Sequence, residues 1–169
     1  MENTHELLAK MADSLNEDLI PAQLSEPEEA AGIEILSVYF DGLGMDHDPV
    51  LGEFFFSPGQ SEEDRVLHFN AVLTLADEID EERLPALYEA MSYINYRLPC
   101  GSYALDREHT YLVYKLVTPL SAELPGELLF AEMNVGAGNA VACCDLYMDT
   151  LLRLLEGELT IEDVTEELS

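Results

Sequence analysis

The sequence predicts an α+β fold, an antiparallel sheet with flanking helices in the order α-β-β-β-α-β-β-α. Three observations predict it. The β-favouring stretches come in blocks rather than alternating with helices, which argues against a doubly wound sheet. The stretch from Gly101 to Pro119 reads as a hairpin, two β-favouring runs around the polar turn Asp106 to His109. From Arg65 to Leu75 the chain alternates cleanly, with Leu67, Phe69, Ala71, Leu73 and Leu75 on one face and Val66, His68, Asn70, Val72 and Thr74 on the other. That pattern marks a half-buried antiparallel strand. It predicts that Phe69 faces the core and that His68 and Asn70 are less buried.

Taken in order, Asn3 to Leu15 reads as a helix, because Leu7, Leu8, Met11 and Leu15 form one stripe. Asn3 and Glu6 have the spacing of a capping box. Asn16 to Ala31 carries Pro21, Pro27 and the acidic patch Glu26, Glu28 and Glu29, and reads as a tether. Gly32 to Phe40 is the first expected strand and Val50 to Ser57 the second, ended by Pro58-Gly59. Phe54, Phe55 and Phe56 are consecutive, so alternation sends Phe55 to the face opposite its neighbours. A helix from the acidic stretch Asp77 to Glu82 should run to about Asn95, with Leu84, Leu87, Met91 and Ile94 as its apolar stripe. Its acidic start suits the positive end of the helix dipole, and Pro85 falls in the tolerated first turn.

In the hairpin's second strand, Leu112, Tyr114 and Leu116 share one face; Tyr111, Val113, Lys115 and Val117 share the other. Pro125-Gly126 opens a helix expected to thin or break at Gly136-Ala137-Gly138-Asn139. A second run, striped by Val141, Cys144, Met148, Leu151 and Leu155, ends at Gly157. Thr160 caps a short acidic final helix. On this reading the chain divides into a helix and acidic tether (1–31), a single α+β domain (32–157) and a short acidic helix or tail (158–169).

The chain has 169 residues, of which 48% are hydrophobic, enough for one domain with a real core. Its 35 acidic and 7 basic side chains give a formal charge of -28. Such a surface repels phosphate backbones and anionic lipid, so neither nucleic acid nor membrane is an expected partner. Charge alone leaves open a DNA-mimic inhibitor. Three cysteines, Cys100, Cys143 and Cys144, make a poor disulfide framework and point to reduced thiols in the cytoplasm. The N-terminus lacks the basic and apolar regions of a signal peptide, and no apolar run has the length of a membrane span.

No stretch carries a catalytic signature. Gly136 to Ala140 lacks the third glycine of a dinucleotide loop and follows a helix rather than a strand. Asp41, Asp46, His47 and Asp48 gather oxygen and imidazole groups in one loop without calcium-loop spacing. Cys100 would need a base such as His68 or His109 to act as a nucleophile. No histidine pair has zinc-ligand spacing. A small enzyme using Cys100 or the loop Asp41 to Asp48 is therefore the rival reading. Tyr88, Tyr93 and Tyr96 suit either an interface or ordinary helix packing.

Two stretches carry a family resemblance. One is the hairpin, Gly101-Ser102-Tyr103-Ala104-Leu105-Asp106 leading to Tyr111-Leu112-Val113-Tyr114. The other is Asp145-Leu146-Tyr147 followed by Leu151, Leu152, Leu154, Leu155 and Gly157. From Gly32 to Gly157 the element order resembles the YbjN-type family, bacterial proteins described as sensory-transduction regulators with a fold like that of type III secretion chaperones. The resemblance implies a small cytoplasmic, non-enzymatic protein that binds a partner protein or client, often as a homodimer; the motifs add no cofactor and no metal. The partner-binding candidates are Phe54, Phe55, Phe56, Tyr111 and Val113. The tether departs from the family picture. Either the Phe55 side of the sheet is an interface, or the first helix swings over and covers it.

With 35 acidic side chains against 7 basic ones, self-repulsion opposes compaction. Moderate salt should therefore raise the melting temperature by screening it. A melting temperature flat from low to moderate salt would contradict this, and a gel shift with duplex DNA at physiological ionic strength would contradict the exclusion of nucleic acid.

Overall fold

The computed structural model describes residues 4–25, 32–44, 49–57, 65–106 and 111–168. Helix α1 (Thr4–Glu17) buries Leu7, Leu8, Met11 and Ala12. Asn3, the expected cap, lies outside the described residues. The helix ends with Leu19 at φ 64 and the Ile20 amide donating to the Leu15 carbonyl at 2.9 Å, a Schellman-type closure. That turn sends the chain into β1 (Ala22–Leu24), which pairs antiparallel with β2 (Ile35–Phe40). The sheet thus begins at Ala22, inside the stretch read as a tether, and not at Gly32. Asn16 explains how so short a strand holds. Its side-chain amide donates to the Ala22 carbonyl at 2.9 Å and its oxygen accepts from the Ala22 amide at 3.2 Å, on the edge turned away from β2. The acidic patch 26–31 lies outside the described residues.

Strands β3 (Val50–Phe56) and β4 (Val66–Ala76) follow. Asp80 caps a short 3-10 turn (Glu81–Arg83), accepting from the Glu82 amide, and α2 (Leu84–Arg97) continues it with Pro85 in the first turn. The hairpin forms as β5 (Ser102–Asp106) and β6 (Tyr111–Ser121), with Asp106 opposite Tyr111. Among the described residues the strands make one open six-stranded antiparallel sheet, ordered β1-β2-β3-β4-β6-β5. Its far edge is closed like its near one. Asn95 of α2 donates to the Tyr103 carbonyl at 3.0 Å and accepts from the Tyr103 amide at 2.8 Å. Pairing an edge strand with a side-chain amide blunts it as a template for another chain.

The register puts Leu36, Val38, Phe54, Phe56, Phe69, Ala71, Leu73, Tyr103, Leu112 and Tyr114 on one face, and all are buried. Phe54 stacks on Phe69 with centroids 6.0 Å apart, and Phe56 tilts against Phe69 at 5.4 Å. Each such pair adds roughly 0.5–1.5 kcal/mol beyond its area burial.

Helix α3 (Gly126–Asp145) crosses this face. It does not break at Gly136 to Asn139; the break falls at Leu146 and Tyr147, before α4 (Met148–Glu156). The small residues are a packing device. A Cβ on Gly136 would lie 2.7 Å from Oγ1 and 3.2 Å from Cβ of Thr118 on β6, so only glycine lets the helix lie this close. Gly157 closes α4 in the left-handed region, φ 81. Thr160 caps α5 (Ile161–Glu167) in a capping box with Asp163. Those bonds from Thr160 hold the Asp163 carboxyl below its ordinary range. Helices α4 and α5 pack on α2.

The two interior glycines of α3, Gly136 and Gly138, should respond oppositely to alanine. At Gly138 a Cβ meets nothing within 4 Å, so Gly138→Ala should stabilise by about 0.5–1 kcal/mol through helix propensity. Gly136→Ala gains the same propensity but forces a stiff β-branched neighbour aside. It should destabilise by roughly 1–3 kcal/mol. Urea unfolding of both variants decides; equal shifts would mean that α3 does not rest on Thr118.

Candidate partner-binding surface

The other face of the sheet is built from the alternate residues of the same strands. Tyr39, Leu51, Thr74, Val113 and Ala104 form one cross-strand row. Ile35, Phe55, Asn70 and Val117 form another. Between them runs Ser37, Glu53, Val72, Lys115 and Ser102. Two largely apolar rows thus bracket one that carries a single carboxylate and a single ammonium. Tyr39 is 52% exposed, Val117 41% and Tyr111 36%. Among the described residues of this face only Asn70 is buried, so no described helix covers it.

Asn70 is a correction to the alternation argument, which made it one of the less buried residues. Its cross-strand neighbours are Phe55 and Val117. Its short amide donates to Ser57 Oγ at 2.7 Å and to the His68 carbonyl at 3.0 Å. The buried polar group is thus satisfied within its own surroundings. His68 is exposed, as the pattern predicts.

Of the candidate residues, Phe55, Tyr111 and Val113 share this outer face. Phe54 and Phe56 do not; both are buried in the core, because strand parity places them with Phe69. The first helix is not a lid over Phe55. The β1 pairing and the Asn16 clamp direct α1 to the core side, where Met11 and Leu15 approach Phe40 and Phe54. Alternation along β4 already places Val72 on this face, but the sequence reading assigned no face to Ile35, Tyr39 and Leu51. Period-2 counting along β2 and β3 would have found them.

A second apolar recess lies between α1 and α3. It has a volume of about 370 Å³, with Met11 and Leu15 on one wall, Ala137 and Val141 on the other, and Phe40 and Phe54 at its floor. Lys10 lies 4.2 Å from the centre of the Phe130 ring where the two helices meet. Outward from the recess, α3 leaves Leu128 and Val135 more than half exposed.

Beneath the hairpin sits a cluster of phenols and thiols. Tyr103 and Tyr114 meet edge-on, with centroids 5.3 Å apart. The Tyr103 hydroxyl donates to the Cys144 carbonyl, and the Tyr114 hydroxyl donates to the Cys100 carbonyl at 2.7 Å. Burial, then the charge of Cys144, pushes the Tyr103 phenol well above the ordinary tyrosine range. Tyr114 is raised too, by burial and then by Cys143 and Cys100. The Cys144 thiol is pushed up from 9.0 to about 12, first by burial and then by Asp145.

The remaining candidates stay apart. Cys100 lies by Cys143 on the core side, while His68 is on the outer face. Asp46, His47, Asp48 and His109 lie outside the described residues; Asp41 is exposed. Among the described residues no three His, Cys, Asp or Glu side chains come together as a metal site, and no helix is long and apolar enough to cross a membrane. Tyr88, Tyr93 and Tyr96 are exposed on α2. No family model and no curated protein matches the chain.

The phenol and thiol cluster predicts alkaline instability. Because Cys144 holds its proton more tightly folded than unfolded, its contribution is complete below about pH 9. It is lost as pH rises towards about 12, at a cost on the order of 4 kcal/mol. Urea midpoints measured from pH 8 to pH 11 should fall, and Cys144→Ala should show a shallower fall from a lower starting point. Parallel curves for the two proteins would remove Cys144 as the cause.

Proposed function

We propose that this chain is a non-enzymatic protein-binding module of the chaperone-like or regulatory kind, acting in the cytoplasm. It takes a partner protein, a client segment or a second copy of itself on the outer face of its sheet. The observation that carries the reading is that face: two largely apolar rows, containing Phe55, Val113 and Val117, without a described helix over them. Large apolar patches of this kind are where proteins meet one another. In a chain of net charge -28, the central row of that face carries one carboxylate, Glu53, and one ammonium, Lys115, so the middle of the face adds little to the repulsion a second protein meets. The resemblance to the YbjN-type regulators and to secretion chaperones supports the same reading.

The test pairs sedimentation at micromolar concentration with an aggregation assay on a chemically denatured test enzyme. Wild type should either sediment as a dimer or suppress aggregation. The double variant Phe55→Asp, Val117→Asp should lose that behaviour while keeping its circular dichroism spectrum. A strict monomer that suppresses nothing, or a variant indistinguishable from wild type, would overturn the proposal.

A further inference from the structure

Cys100 lies in the short link between α2 and β5, and Cys143 in the last turn of α3. They are 43 positions apart in the chain, yet their Sγ atoms are 3.4 Å apart, and both thiols are free. The backbone on each side is anchored. On the Cys100 side, the Tyr114 hydroxyl holds the Cys100 carbonyl. Gly101, at φ 67, lies so close to that phenol that any side chain there would collide with it. On the Cys143 side, the Tyr103 hydroxyl holds the neighbouring Cys144 carbonyl. The two tyrosines pack on each other, so the sulfurs are placed by one rigid unit. A bonded pair needs about 2.0 Å, and rotation about a single χ1 moves a sulfur by more than the difference.

We propose that Cys100 and Cys143 form an oxidisable dithiol site, which a hydroperoxide converts to an intrachain disulfide. Cys100 is half-buried and reacts first; Cys143 is 7% exposed and resolves. The Cys100 thiolate attacks a peroxide oxygen, the O–O bond breaks, and a sulfenic acid forms as the leaving oxygen takes up a proton. The Cys143 sulfur then attacks the Cys100 sulfur, the S–O bond breaks, and water leaves with the Cys143 proton. In sum, two thiols lose two electrons and two protons, and hydrogen peroxide becomes two waters. Burial holds the Cys143 thiol above its ordinary range, which suits it to the second, resolving step rather than the first. Cys144, buried and facing the Tyr103 side, takes no part. The bridge would tie the end of α3 to the entrance of the hairpin.

The test treats the full chain with a few equivalents of hydrogen peroxide, then alkylates under denaturing conditions and reads intact mass and peptide map. The expected product has lost the mass of two hydrogens, keeps one alkylatable thiol at Cys144, and yields a Cys100–Cys143 linked peptide that dithiothreitol releases. Its melting temperature should rise by roughly several degrees, because the bond closes a long loop of the unfolded chain. Cys144→Ser should still form the bridge, and Cys100→Ser should not. If Cys100→Ser does not fold, the wild-type map decides alone. Oxidation that stops at sulfinic acid on Cys100, links Cys144, or joins two chains without the Cys100–Cys143 peptide would overturn the proposal.

Discussion

The close approach of α3 to β6, at Gly136 over Thr118, is the contact on which the rest of the arrangement depends. A helix interior glycine costs roughly 1 kcal/mol of propensity relative to alanine. Here that cost is offset by the depth at which the helix seats. Ala137, Ala140, Cys143 and Cys144 follow Gly136 into the core because the axis has been brought down to them. The seating carries the end of α3 under the hairpin, where Tyr103 and Tyr114 hold the Cys144 and Cys100 carbonyls. It also leaves the 370 Å³ recess where α1 does not follow α3 as closely.

The sheet is clamped at both edges, and no described helix lies over one of its faces. Asn16 and Asn95, from two different helices, each offer a side-chain amide to both backbone groups of an outermost-strand residue, Ala22 and Tyr103. Growth of the sheet by edge pairing is disfavoured at those points. Among the described residues no helix covers the outer face, which is the surface proposed above for association. Strong acidity and a face with two largely apolar rows are compatible because most of the carboxylates lie elsewhere. The helices carry exposed carboxylates such as Glu6, Glu17, Glu89 and Glu132.

Signals with a short period or a local mechanism could be read from the residues alone. Alternation along β4 separates Phe69, Ala71 and Leu73 from His68, and parity separates Phe55 from Phe54 and Phe56. The Thr160 cap and the Gly157 stop are local chemistry, and both form as read. By itself the sequence determined an α+β chain with an antiparallel sheet and the sidedness of its strands. Those properties follow from a repeat of two residues and from turn and cap chemistry. Tertiary structure decided what depends on partners distant in the chain. β1 is three residues long, too short to show a period, and exists because β2 and Asn16 receive it. α3 runs through its glycines because Thr118 lies beneath one of them. Asn70 is enclosed by neighbours on two other strands. Cys100 and Cys143 meet only because a helix and a hairpin pack together. Which face stays open was likewise decided in three dimensions, by the clamp that turns α1 towards the core, since burying an apolar face requires a covering element that strand parity does not specify.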